Sequence, residues 1–228
     1  MAVQSRAVAC RLARGEAQAA LAQCRELLAD EESLDAPALR ARLHILAARA
    51  LQDLGRIEEG GRAARRALEL ADVSGDLSIS AQALTVLGTT EYRAGDLKSA
   101  RDHGEQALAL YRRLGDAQSA ARVRNNLGLV HKNLCEWDAT IAHFQAALEV
   151  YEEGGHLADT AGPLMNLGIV LQKTGEWDRA AERYRDCERV LARVGEELRL
   201  ARVAIGLGNV ARLQRRFPEA ETELLSAL

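Results

Sequence analysis

Proline is nearly missing from this chain. Only Pro37, Pro163 and Pro218 occur in 228 residues, so long stretches lack the residue that most disrupts a helix interior. Aromatic residues make up 4%. Valine and isoleucine never alternate with polar residues over the length of a strand, which removes the signal of a sheet. No run approaches the ~18 apolar residues of a membrane-crossing helix. The opening MAVQSRAVACRLARG has no apolar core of a secretory signal. Four cysteines, Cys10, Cys24, Cys135 and Cys187, show neither metal nor redox spacing. A cytoplasmic location with free thiols, and no membrane partner, is the simplest expectation. A net charge of −3 argues against direct binding of nucleic acid.

The signatures of catalysis are also missing. The sequence contains no GxxxxGK[ST] phosphate loop and no His-Glu-x-x-His metal pair. His44, His103, His131, His143 and His156 fall at scattered places, and nothing assembles a nucleophile, a base and an oxyanion site. No enzyme activity, metal or cofactor is expected. His131 alone is placed to approach the functional face proposed below.

What is present is 48% hydrophobic residues, with alanine, leucine, arginine and glutamate dominant. These are strong helix formers, and the alanine and arginine bias suggests a bacterial source. The residues also recur. Leu87-Gly88, Leu127-Gly128, Leu167-Gly168 and Leu207-Gly208 stand 40 residues apart. Gly15, Gly55, Gly95 and Gly175 share a second phase, with Cys135 and Arg215 in the two remaining slots. Five residues later a small side chain follows every time, at Ala20, Gly60, Ala100, Thr140, Ala180 and Ala220. Such a register marks repeating structural units, here 1–40, 41–80, 81–120, 121–160 and 161–200, with a partial sixth over 201–228.

Each unit reads as two helices. In the fourth, Val123, Leu127, Val130 and Leu134 make one helical stripe. Residues 137–153 carry a second stripe of Ile141, Phe144, Ala147, Leu148 and Tyr151. Gly75, Gly115, Gly154-Gly155 and Gly195 stand where such helices should end. Asp76 and Asp116 are placed as N-caps, and Pro163 as a first-turn residue. A mid-helix glycine costs about 0.5–1 kcal/mol relative to alanine, so the Leu-Gly column predicts close approach of a neighbouring helix. The bulky column Ile57, Leu97, Trp137, Trp177 and Phe217 is expected to fill space between units.

The segment LGTTEYRAGDLKSA, residues 87–100, resembles the tetratricopeptide repeat, with its Leu-Gly, Gly, bulky and Ala positions. The resemblance runs along essentially the whole chain and is weakest in the first unit, where Ala7-Val8 replace Leu-Gly. The common repeat has about 34 residues. Six more add about 9 Å of helix, as in the longer variant similar to repeats of kinesin light chains, Pins-type adaptors and bacterial transcription regulators. The resemblance implies an all-α, right-handed superhelical solenoid of antiparallel helix pairs, about five and a half repeats forming one domain over 1–228. It also implies that first helices line the concave side, at positions 2, 5, 6, 9, 12 and 13 of each unit.

Those 36 positions hold Arg6, Arg42, Arg49, Arg93, Arg122, Lys132, Lys173, Arg202 and Arg212 against one acid, Asp53. Positions 16–33 of each unit, the second helices, carry 25 acids and 15 bases, and all other positions 8 acids and 15 bases. Charge is thus sorted by helix layer. Asn125, Asn126, Asn133, Asn166 and Asn209 fall on the basic side, and an amide both donates to and accepts from an extended peptide backbone. The candidate binding residues are therefore Arg49, Arg93, Arg122, Asn125, Asn126, Lys132, Asn133, Asn166, Lys173, Arg202, Asn209 and Arg212. The expected partner is a protein or peptide with an acidic segment; the alternative is effector or partner sensing within a larger bacterial transcription regulator. A C-terminal carboxylate clamp is not complete, because Lys132 and Lys173 differ by one position in phase. Leu228 stops the sixth unit with an apolar face unsealed, so the chain reads as a fragment of a longer protein or as one that self-associates through that end.

Overall fold

The computed structural model describes residues 2–29 and 36–227, with side chains from residue 5 onward. Among these residues there are twelve α-helices and no strand. They fall into two compact units, Met1–Asp116 and Ala117–Leu228. The first holds α1 (Ala2–Ala13), α2 (Ala17–Ala29), α3 (Pro37–Asp53), α4 (Ile57–Ser74), α5 (Leu77–Ala94) and α6 (Leu97–Leu114). The second holds α7 (Ala117–Asn133), α8 (Trp137–Glu153), α9 (Leu157–Thr174), α10 (Trp177–Val194), α11 (Glu197–Leu213) and α12 (Phe217–Leu225). From α3 onward, first helices start 40 residues apart, and second helices from α2 onward do the same. No helix among the described residues is long and apolar enough to cross a membrane.

Local chemistry sets these boundaries. Gly75, Gly115 and Gly195 end α4, α6 and α10 in the left-handed conformation, which glycine adopts without a steric penalty. The Asp76 carboxylate accepts from the backbone N–H groups of Ser78 and Ile79 and caps α5. Pro37 opens α3 and Pro218 lies in the first turn of α12, where a missing N–H costs little. Pro163 departs from expectation. Because α9 begins at Leu157, Pro163 sits inside the helix, not in its first turn, and the bond its N–H would have made one turn back is lost.

The repeated small residues pack as their column predicts. Ala20, Ala100, Thr140, Ala180 and Ala220 are buried, as is Gly60. A Cβ on Gly88 would stand 3.2 Å from the Ala100 carbonyl oxygen. One on Gly128 would meet the Phe144 ring at 2.6 Å, and one on Gly168 the Tyr184 ring at 2.7 Å. Each glycine thus admits the partner helix of its own pair. The bulky column behaves differently. Trp177 is 37% exposed and Phe217 62%, while Ile57, Leu97 and Trp137 are half-buried. Each is the first residue of its helix, and a helical side chain leans over the turn N-terminal to it. None of the five is buried, and the cores are filled by alanine, leucine and aromatic residues further along the helices. Leu228, at which the sixth unit was expected to stop with its apolar face unsealed, lies outside the described residues.

In the Ala117–Leu228 unit the core gathers Phe144, Leu164, Leu167, Tyr184, Leu191, Val203, Leu207 and neighbours. Cys187 and, in the other unit, Cys24 occupy packing positions with no exposed surface, and burial pushes both thiols up to about 11. Within each unit the first helices touch one another, α3 with α5 and α7 with α9 with α11, whereas successive second helices do not. A layer whose members pack more closely lies on the inside of a curve. The first helices therefore line the inner face of each unit.

Candidate partner-binding face

In the Met1–Asp116 unit the inner face is held by one amide. Gln52, 8% exposed on α3, donates to the Val86 carbonyl at 2.9 Å and to Thr90 Oγ1 at 2.6 Å on α5. Its own backbone carbonyl accepts from Arg93 Nη1 at 2.7 Å. Arg93, a predicted binding residue, is thus half committed to clasping α5 against α3, though its side chain remains exposed. Arg49 is exposed on α3.

The Ala117–Leu228 unit carries the other ten predicted residues. On α7, Lys132 Nζ donates to Asn166 Oδ1 on α9 at 3.3 Å. Lys132 occupies the same repeat position as Gln52, so one column supplies the clasp in both units. The Lys132 ammonium is held below the ordinary lysine value, first by burial and then by the nearby charges of Lys173 and Arg202. Three helices, α7, α9 and α11, therefore bring Lys132, Lys173, Arg202 and Asn166 into one cluster. Like charges gathered and partly desolvated repel each other, and an anion placed among them would relieve that repulsion.

Beside the cluster lies a cavity of about 340 Å³ between α9, α10 and α11. Arg202 and Asn209, both predicted, stand on its wall with Met165, Ile169, Gln172, Ile205, Gly206 and Tyr184. The Tyr184 hydroxyl donates to Gln172 Oε1 at 3.1 Å, which leaves the Gln172 amide nitrogen as a donor. Burial raises the phenol to about 12, so it stays protonated and keeps that bond.

The remaining predicted residues do not all converge here. Arg122 is ten residues before Lys132 on α7, about 15 Å along the axis. It bonds weakly to Ser119 Oγ at 3.4 Å and acts on the Tyr151 phenol, opposite in effect to Asp159. Asn125 turns a buried Oδ1, without a hydrogen-bond partner, towards Gly162 on α9. Asn126 is half-buried, and Asn133 and Arg212 are exposed. His131 does not join the face. It is buried, its Nδ1 is 2.5 Å from Glu136 Oε2, and its ring stacks on His143 of α8 with centroids 5.0 Å apart. His103 is similarly paired with Glu91, at 2.7 Å.

Charge and asparagine do not mark Met165, Ile169, Gln172, Ile205 and Gly206, although all five occupy the predicted inward positions. Tyr184 was overlooked for another reason. It belongs to a second helix and reaches the inner face only because Gly168 and Gly206 give it room on both sides.

The tetratricopeptide repeat model matches residues 39–113, 119–193 and 159–228. No curated protein matches the chain. Among solved structures, BtubC from P. vanneervenii is 21% identical, with 93% of this chain aligned to 87% of that one and a TM-score of 0.78. A Rap protein complexed with competence and sporulation factor is 13% identical over 98% of this chain and 73% of its own, with a TM-score of 0.79. A STAND signal-transduction ATPase with a tetratricopeptide repeat sensor, from Pyrococcus horikoshii, is 15% identical over 98% of this chain and 38% of its own, again at 0.79.

Proposed function

This chain belongs to the tetratricopeptide repeat family, and on that premise we propose that it is a protein-interaction module whose α7–α9–α11 face binds an acidic peptide or partner segment. The observation that carries the reading is Lys132, bonded to Asn166 and disfavoured in its charged form by burial and by the nearby charges of Lys173 and Arg202. An acidic side chain there would pair with cations that now repel one another. Asn166, whose Oδ1 is already occupied by Lys132, keeps its NH₂ to donate to a main-chain carbonyl. Arg122, Asn125, Asn126, Asn133, Asn209 and Arg212 extend the face along the same helices. Arg49 and Arg93 are assigned the same role on the inner face of the Met1–Asp116 unit. The reading assigns no chemistry to the chain and needs no cofactor.

The test is an anisotropy titration of a fluorescent acidic peptide against the protein at rising salt. Affinity falls with ionic strength because exposed charge pairs are screened, and it is lost in the triple variant K132M/K173M/R202M. Salt-independent affinity, or full affinity in the triple variant, would remove this face from the interaction.

A second reading is effector or partner sensing within a larger bacterial regulator. It is favoured by one observation: the chain aligns with 38% of a signal-transduction ATPase that carries a repeat sensor of this fold. An ATPase or DNA-binding segment encoded in frame beside this region would select it.

A further inference from the structure

Half of the inner-face positions of α9 and α11 are apolar or glycine, where those of α7 are amide-rich and basic. Position 5 of successive repeats reads Asn125, Met165, Ile205, and position 6 reads Asn126, Asn166, Gly206. Where the two preceding repeats place an amide side chain, Gly206 places none, and the Tyr184 ring comes within 2.7 Å of where its Cβ would be, so an aromatic ring from the second layer replaces an amide beside the cavity. Met165, Ile169 and Ile205 form an aliphatic wall, with the almost fully covered Tyr184 ring at its base, around an open cavity of about 340 Å³. Ile205 keeps 45% of its surface exposed at the rim, apolar area that an occupant would remove from water.

The polar lining is equally one-sided. Arg202, the Gln172 amide nitrogen and Asn209 offer donors, and no acidic residue lines the cavity. Arg202 also belongs to the cationic cluster of Lys132 and Lys173. Apolar room and positive charge are therefore contiguous, and the amides at the border match a peptide main chain. A ligand satisfying both has an aliphatic side chain and a carboxylate within one or two residues of each other.

We propose that this cavity is the anchor site for a single leucine or methionine side chain in an extended acidic segment, with the neighbouring acids held by Arg202, Lys173 and Lys132. The inference rests on the acidic-partner reading above and adds an apolar requirement to it. The leucine enters between Ile169 and Ile205 and lies against the Tyr184 ring. Its backbone runs past Asn209 and Gln172. The charge cluster fixes which flank carries the acid, and the cavity fixes the register of the segment, because charge alone would let an acidic chain slide.

The probe is a labelled nonapeptide, acetyl-Gly-Ser-Asp-Asp-Leu-Asp-Asp-Ser-Gly-amide, with both ends blocked so that no terminal carboxylate contributes. It is titrated beside the same peptide with glycine in place of leucine. Burial of one leucine side chain predicts at least about tenfold tighter binding of the leucine peptide. In Ile169→Phe, which fills the cavity from its wall, the ratio falls towards one. In Ile205→Ser, which strips the exposed rim, it does the same, and circular dichroism confirms that each variant is folded. Equal, salt-dependent binding of both peptides overturns the anchor and leaves the acidic-partner reading standing. Absence of salt-dependent binding by either peptide overturns both. A free-acid version binding much more tightly than the blocked one also overturns the anchor, since the cavity would then be holding a chain terminus.

Discussion

The Lys132 ammonium on α7 reaches Asn166 Oδ1 on α9 at 3.3 Å, and it does so although burial, and then its neighbours Lys173 and Arg202, disfavour its charge. The pH dependence follows from the sign of that effect. The folded protein holds the Lys132 proton less tightly than the unfolded chain, so between the lowered value and the ordinary 10.5 the unfolded state binds more protons and stability rises with pH. Lys132→Met removes this contribution. Thermal melts from pH 7 to 10.5 should show the wild type gaining on the variant as pH rises. A constant difference across that range would mean that Lys132 is not disfavoured by its surroundings.

Binding of an acidic segment should reverse the trend. A carboxylate among the three cations raises the proton affinity of Lys132, so complex formation takes up protons at alkaline pH. Calorimetric titration in two buffers of different ionisation enthalpy, near pH 9.5, should show uptake in the wild type and none from this group in Lys132→Met.

Asn126 and Asn166 are both half-buried on the inner face and share one repeat position. Replacing both by alanine leaves the helix pairs intact, since alanine is the better helix former. It removes two amides from the face, each hydrogen bond contributing about 0.5–1.5 kcal/mol. The double variant should therefore bind an acidic peptide roughly tenfold more weakly, with an unfolding midpoint close to wild type. An unchanged dissociation constant would take both residues out of the interface.

The helix pairs were legible because their signals are local. The second helix expected over 137–153 is α8 with those bounds, since the small-residue column and the apolar stripe lie within it and Gly154 stands just past its end. First helices begin four residues ahead of the 40-residue frame, at Pro37, Leu77, Ala117, Leu157 and Glu197; before the last four a glycine ends the earlier helix and the new one starts almost at once. That offset is why Pro163 was expected in a first turn and lies deeper. The cationic cluster was legible as a column of charges, but its internal bond from Lys132 to Asn166 was not, because a bond between successive repeats depends on side-chain reach. The cavity was hidden altogether. At Gly206 its lining is the Tyr184 ring from the opposite layer rather than a first-helix side chain, and such a substitution does not show in a count of charges.

Cys135 and Arg215 stand in the repeat slots where Gly15, Gly55, Gly95 and Gly175 occur, and both take φ of +60°. A non-glycine residue in that conformation costs roughly 1–2 kcal/mol, partly offset by the greater freedom glycine has in the unfolded chain. Cys135→Gly and Arg215→Gly should each stabilise the protein, by about 0.5–1 kcal/mol. Denaturant unfolding checks this through a higher midpoint at unchanged slope. A lower midpoint in both variants would show that the turns gain more from the native side chains than the backbone loses.

Gly168 lies mid-helix on α9, and a Cβ there would come within 2.7 Å of the Tyr184 ring. The ring cannot simply retreat: it packs against Gly206 on its other side at the same distance, and its hydroxyl is held by Gln172. Gly168→Ala should therefore destabilise by about 1–3 kcal/mol, as overpacking does, despite alanine's better helix propensity. Reducing the ring should reverse part of the loss, so Gly168→Ala/Tyr184→Leu should be less destabilised than the sum of its two single variants. The coupling energy from that double-mutant cycle is the measurement that decides. A value near zero would mean that the helices of this pair separate freely, and that the Leu-Gly column serves something other than the close approach of its partner helix.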